Sequence, residues 1–194
     1  MTGHRVCPWW LGYWLASPLR RFAYQPSTIL APYVRTGMTV LEPGPGMGFF
    51  TVELARLVGA SGRVVAVDLQ PRMLDGLRRR LSKAGLAGRV DVRLATSDSM
   101  GVADLSGVVD FVFAFAVVHE LPSPASFFLE AHQVLKPDGH LLLAEPAGHV
   151  SLSLFEAEGA AAAKAGLVPV QSPVIRRSRA SLLQKSLPVP QRPK

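Results

Sequence analysis

A chain of 194 residues, 48% of them hydrophobic, is long enough for one domain with a sizeable core and too short for two. Its single cysteine, Cys7, excludes an internal disulfide or a zinc site built on cysteines, and fits a reducing, cytoplasmic setting. The net charge of +7 is uneven: residues 1–41 hold four Lys/Arg and 159–194 hold seven, neither with an acid, whereas 42–158 hold ten basic and fourteen acidic residues. Basic ends of this kind can attract nucleic acid or an anionic membrane. A solvated surface with a basic tail is the plainer reading, and no nucleic-acid partner is expected.

Residues 6–19 carry all three tryptophans in an apolar run bounded by prolines. The run is too short to span a bilayer. Arg20 and Arg21 follow it rather than precede it, so it is not built like a secretory signal. Residues 6–21 therefore read either as a segment packed on the domain or as a weak membrane-surface contact, with tryptophan at the interface and arginine at the lipid phosphates. Pro26-Ser-Thr-Ile-Leu begins a helix, and Thr36-Gly37 leads into the first strand.

Met38 to Leu41 is a buried strand closed by Glu42, and Gly44, Gly46 and Gly48 follow at every second position. From Phe49 the apolar residues Phe50, Leu54, Leu57 and Val58 recur at helical spacing. Strand, glycine turn and helix make a nucleotide-binding corner, because glycine lets the backbone approach a ligand closely. The dinucleotide fingerprint has its third glycine three residues after the second; here the spacing is G-x-G-x-G. An acid two residues before the first glycine repels a pyrophosphate and suits a positively charged ligand. Glu42-Pro-Gly-Pro-Gly-Met-Gly resembles the first motif of class I S-adenosylmethionine-dependent methyltransferases. That resemblance implies that Glu42 faces the amino group of the cofactor and that Gly44, Pro45, Gly46 and Gly48 pack on its methionine part. It also implies that residues 1–35 cap the substrate pocket.

Arg63 to Asp68 is the second strand. An acid at its end, twenty residues after Gly48, accepts from ribose hydroxyls in doubly wound folds. The resemblance gives Asp68, with Leu69 beside it, the same role on the adenosyl ribose. Pro71 to Lys83 is a basic amphipathic helix with Pro71 in its first turn. Val90 to Leu94 is a third strand. By resemblance Asp98 and Ser99, which follow it, cap the adenine; Ser97 and Ser99 can instead cap a helix. Gly107 to Phe115 has little polarity, as a central strand of a parallel sheet should. Phe115 is expected to line the cofactor. Ala116-Val-Val-His-Glu-Leu-Pro resembles the fourth motif of small-molecule methyltransferases, which implies that His119 and Glu120 face the methyl acceptor. His119 is a candidate base because its reference pKa is near neutral.

Ser123 to Leu135 is a helix, Lys136–Gly139 a turn, and His140 to Glu145 the fifth strand. Val-Leu-Lys-Pro-Asp-Gly-His-Leu-Leu-Leu is similar to the segment around strand five of the same family. A helix over about 151–165, strands near 167–171 and 180–185, and a disordered basic tail over 186–194 complete the chain.

The alternation of strand and helix argues for an open α/β sheet. The family resemblance, closest to small single-domain methyltransferase type 11 and quinone-methyltransferase-like enzymes, implies a Rossmann-like, doubly wound sheet of seven strands with the last antiparallel. It places that cofactor domain at 36–185, with S-adenosylmethionine as cofactor, a small-molecule methyl acceptor and no metal. Arsenite methylation needs several cysteines, and one does not suffice. Two other readings stay open: an NAD(P)-dependent oxidoreductase with a variant glycine loop, and a cofactor-binding or membrane-surface protein without turnover. The acceptor and the oligomeric state are not legible.

Overall fold

The computed structural model describes residues 24–186. The tryptophan-rich segment and the tail beyond residue 186 lie outside them. The chain order is α1 (Pro26–Leu30), β1 (Thr39–Pro43), α2 (Thr51–Leu57), β2 (Arg63–Asp68), α3 (Pro71–Lys83), β3 (Val90–Leu94), β4 (Val109–Phe115), α4 (Pro124–Val134), β5 (Leu135–Pro146), α5 (Leu152–Lys164), β6 (Leu167–Gln171) and β7 (Ser178–Lys185).

The strands form one seven-stranded sheet in the order β3-β2-β1-β4-β5-β7-β6. Strands β1 to β5 pair in parallel, and β7 runs antiparallel between β5 and β6. This is the doubly wound architecture that the sequence implied. Alternation within each central strand feeds two cores. Val40, Val64, Ala66, Phe111, Phe113 and Leu142 face α1, α2 and α3. Leu41, Val65, Val67, Val112, Ala114 and Leu143 face α4 and α5. A strand buried on both faces reads as an apolar run, which is why β4 carries so little polarity.

The helices meet the sheet through one stripe each. In α3 the buried residues are Met73, Leu74, Leu77 and Leu81, with Pro71 in the first turn. Ser151 caps α5 by accepting from Leu154 N, and Ser123 caps α4 by accepting from Ser126 N. Leu30 and Val34, ahead of β1, are buried in the α1–α3 core.

Two local expectations change. Lys136–Gly139 does not separate a helix from a strand. Val109 pairs with Leu135 and Phe111 with His140, so the four residues loop out of β5 as a bulge while strand pairing continues on both sides. Ser97 and Ser99 cap no α-helix, because only a short 3₁₀ turn (Ala103–Leu105) precedes β4. Ser99 Oγ instead donates to Glu130 Oε2 of α4 at 3.1 Å, and Glu130 also receives Met100 N at 3.0 Å.

From β1 the chain winds outward through β2 and β3; from β4 it winds the other way to β5. The crevice at the C-terminal ends of β1 and β4 is therefore the topological switch point, where open α/β sheets bind ligands.

Candidate active site

The glycine loop leaves β1 at that point. The strand keeps Glu42 and Pro43, two residues more than the sequence suggested, because both pair in register with Ala66 and Val67 of β2. Gly44, Gly46 and Gly48 have φ of +65°, +53° and +83°, a region where L side chains are strained. A Cβ at Gly44 would lie 2.6 Å from Val117 Cγ2, whereas one at Gly46 meets nothing within 4 Å. The first glycine is fixed by packing, and the second borders open space at the mouth of the crevice.

This difference separates two substitutions. Gly44→Ala combines backbone strain with a clash and is expected to cost about 2 kcal/mol or more of stability. Gly46→Ala carries strain alone, about 1 kcal/mol, yet narrows the space left for a ligand. Urea denaturation should therefore rank Gly44→Ala as the less stable variant, while ligand titration should find Gly46→Ala impaired although folded.

Asp68 ends β2 and bends into the loop. Its Oδ2 accepts from Gly46 N at 3.3 Å and its Oδ1 from Gln70 N at 2.9 Å. Burial pushes its carboxyl up to about 6; the Gln70 and Gly46 amides oppose the rise, and the Glu120 charge adds to it. Leu69 follows directly and also turns its amide to this carboxylate.

Glu42 is 3% exposed, and neither its Oε2 nor the buried Thr51 Oγ1 has a hydrogen-bond partner within the protein. Burial raises the Glu42 carboxyl to about 8; the nearby Thr51 hydroxyl moderates the rise, and the Asp68 charge reinforces it. A buried acid with an unused oxygen is costly unless a donor completes it. The residues present thus fit a ligand that brings a cationic hydrogen-bond donor to Glu42 and hydroxyls to Asp68.

Phe50, Phe113 and Phe115 close the wall behind the loop, with Phe50 and Phe115 ring centroids 4.7 Å apart. Tyr24 meets Phe115 edge-on at 5.1 Å. On the far side of the crevice the chain leaving β4 turns at Ala116, whose φ is +55°, into the 3₁₀ turn Val118–Glu120. His119 and Glu120 sit there. Glu145, at the end of β5, contacts His119 Nδ1 at 2.7 Å. Glu145 was legible only as an acid ending a strand on the ligand side.

Asp98 follows β3 on the same edge of the sheet. It is exposed, and Ser97 Oγ donates to its Oδ1 at 3.2 Å. Ser99, next to it, donates from its Oγ to Glu130 Oε2. A cavity of about 570 Å³ lies at the opposite end of the sheet, lined by Tyr33, Asp110, Phe111 and Lys136 among others, and none of the residues above borders it. Among the described residues no group of three or more His, Cys, Asp or Glu is placed to hold a metal ion, and no helix is long and apolar enough to cross a membrane.

Residues 41–143 match the family model described as a methyltransferase domain, more than half of the chain. The chain belongs to that family, and its fold is that of the class I, S-adenosylmethionine-dependent type. S-adenosylmethionine is the cofactor that family and fold imply. Among its relatives, the ubiquinone/menaquinone biosynthesis C-methyltransferase of Klebsiella pneumoniae is 32% identical over 118 residues, covering 61% of this chain and 46% of that protein. The arsenite methyltransferase of Halobacterium salinarum is 34% identical over 109 residues, covering 56% of this chain and 27% of that one. The chain thus spans less than half the length of these relatives. A solved SAM-dependent methyltransferase from Aquifex aeolicus superposes with a TM-score of 0.83 at 25% identity, covering 93% of this chain and all of that one.

Proposed function

We propose that this protein transfers a methyl group from S-adenosylmethionine to a small-molecule acceptor. The observation that carries the reading is the unpartnered, buried Glu42 oxygen beside three glycines of positive φ at the switch point of the sheet. In this reading Glu42 meets the amino group of the cofactor, and Gly44, Pro45, Gly46 and Gly48 flank its methionine part. Asp68 and Leu69 meet the ribose, Asp98 the adenine side, and Phe115 walls the crevice. His119 and Glu120 stand at the acceptor side. Residues 1–35 act as a cap and 36–185 as the cofactor domain, in a cytoplasmic enzyme.

When bound, the cofactor supplies a methyl group already activated on a sulfonium, whose sulfur keeps the C–S electron pair as a neutral thioether. The chain's own residues then have to orient a nucleophile and exclude water. The name of the Klebsiella relative makes hydroquinone-like rings the first acceptors to test. An arsenic acceptor fits less well, since Cys7 is the chain's only cysteine.

The test is S-adenosylhomocysteine release from S-adenosylmethionine with a panel of hydroquinones and phenols. Release that depends on an added acceptor supports the reading. S-adenosylmethionine binding without release from any acceptor class would leave a binding protein without turnover.

A further inference from the structure

Phe115 of β4 pairs with Ala144 of β5, so Glu145 stands one step beyond it, beside the turn that follows β4. Glu145 is fully buried and both its oxygens accept. Oε1 receives Val118 N at 2.8 Å and His119 N at 3.4 Å, while Oε2 lies 2.7 Å from His119 Nδ1. With Oε2 as the acceptor, the proton is on Nδ1, and Nε2 of the neutral ring carries the free lone pair. The imidazole is mostly buried, its side chain 15% exposed.

Four groups face this ring. They are Glu145 from β5, Glu120 from its own turn with Oε1 3.9 Å from Nε2, Glu158 from α5, and His149 edge-on at 6.3 Å from the loop after β5. Glu158 is 2% exposed and neither of its oxygens has a hydrogen-bond partner, an arrangement that an interior helix position does not require for packing. The Glu145 hydrogen bond raises the His119 pKa above its ordinary value, against the opposing effect of burial, and the charges of Glu145, Glu120 and Glu158 add to the rise.

We propose that Glu145 is a positioning residue that holds His119 as the Nδ1–H tautomer, so that Nε2 receives the proton lost by the methyl acceptor. This rests on the methyl-transfer reading and names its substrate class: the atom methylated carries a proton, as O–H, N–H or the ring C–H of a phenol. For O–H and N–H acceptors the X–H bond breaks with its electron pair left on X, and X keeps a lone pair while another forms the X–CH₃ bond. At a phenol ring carbon the π electrons form the C–CH₃ bond, and the C–H pair then restores the aromatic ring. The proton goes to Nε2, and the imidazolium is held against Glu145 until solvent removes the proton. Dialkyl sulfides and tertiary amines, which have no such proton, fall outside the class.

¹⁵N NMR of the full chain saturated with S-adenosylhomocysteine reads the tautomer without a known acceptor. Glu145→Gln keeps an oxygen for Val118 N but turns an N–H donor toward Nδ1, which must then become the acceptor. The expected result is a protonated Nδ1 and bare Nε2 in the wild type at alkaline pH, reversed in E145Q, with a lower titration midpoint for His119. Glu145→Asp, should E145Q not fold, is expected to lower the midpoint without the reversal. An Nδ1–H ring in both wild type and E145Q, or an unmoved midpoint, overturns the role of Glu145.

Calorimetry with S-adenosylhomocysteine on the same samples keeps the two readings apart. Equal affinity is expected, and absence of binding by the wild type would sink the methyl-transfer reading while leaving the tautomer result standing. For the substrate class, a mixture of hydroquinone, aniline and dimethyl sulfide is offered with labelled S-adenosylmethionine. Label on hydroquinone or aniline, reduced about a hundredfold or more in E145Q, supports the class. Label on the sulfide alone, or on neither proton-bearing probe, overturns it.

Discussion

Asp68→Ala is expected to weaken S-adenosylhomocysteine binding at least tenfold, about 1.4 kcal/mol. Two effects add. The carboxylate that would accept from the ribose hydroxyls is gone, and hydrogen bonds to a charged acceptor are worth about 1.5–3 kcal/mol each. The loop also loses its tie, because Asp68 Oδ2 holds Gly46 N and Oδ1 holds Gln70 N. Stability should respond differently. The folded carboxyl titrates near 6 against 3.8 in a model peptide, so ionised Asp68 opposes folding, and this penalty grows as pH rises from about 3.8 to 6. At pH 8 Asp68→Asn, which keeps one acceptor oxygen, should therefore melt no lower than the wild type while binding less well. A melting temperature that falls with unchanged affinity would make Asp68 a structural residue only.

The second large effect concerns protons. Glu42 is raised from 4.5 to about 8 in the ligand-free protein, so at pH 7 it is mostly protonated. An ammonium placed beside it favours the carboxylate. Binding should then release close to one proton at pH 7, and affinity should climb by up to about tenfold per pH unit between 6 and 8 before levelling. Calorimetric titration in phosphate and in Tris, whose ionisation heats differ, measures the proton directly. Glu42→Gln should abolish the release and flatten the pH dependence. The sign for stability is the opposite of an ordinary salt-bridged acid. The folded state binds this proton more tightly than the unfolded chain, so the ligand-free protein loses stability as pH rises from 4.5 through about 8. Glu158, raised from 4.5 to about 7 by burial and by the Glu145 charge, acts in the same direction.

What the sequence disclosed and what it concealed divide along the range of the interactions. The corner from β1 to α2 was legible because its chemistry is local: glycines at fixed offsets, an acid ahead of them, a change of period after them. Asp68 was legible because a strand end places it at a calculable distance. Glu145 was not, since its partner His119 is 26 residues away and their meeting depends on the register of β4 against β5. Glu158 sits in an alanine-rich helix where no apolar stripe announces a buried face, so its burial comes only from the packing of α5. The bulge at 136–139 had the composition of a turn, and only pairing on both sides of it makes it part of a strand. For Ser99, the cap reading had a sound basis in propensity, but no α-helix follows it; its Oγ accepts from Gly101 N and donates to Glu130, which tertiary packing supplied.

Wild-type protein titrated in parallel with S-adenosylhomocysteine and with NADH, at pH 8, tests the central assignment most directly. Both ligands carry adenosine, and Asp68 can serve the ribose of either, so the difference lies at the glycine loop. The G-x-G-x-G spacing departs from the dinucleotide fingerprint, and the buried Glu42 should take up the ammonium of S-adenosylhomocysteine, a group that NADH lacks. Saturable binding of S-adenosylhomocysteine, one per chain, with no heat from NADH, is the expected result. Binding of NADH with none of S-adenosylhomocysteine would contradict it, and would return the oxidoreductase reading to first place.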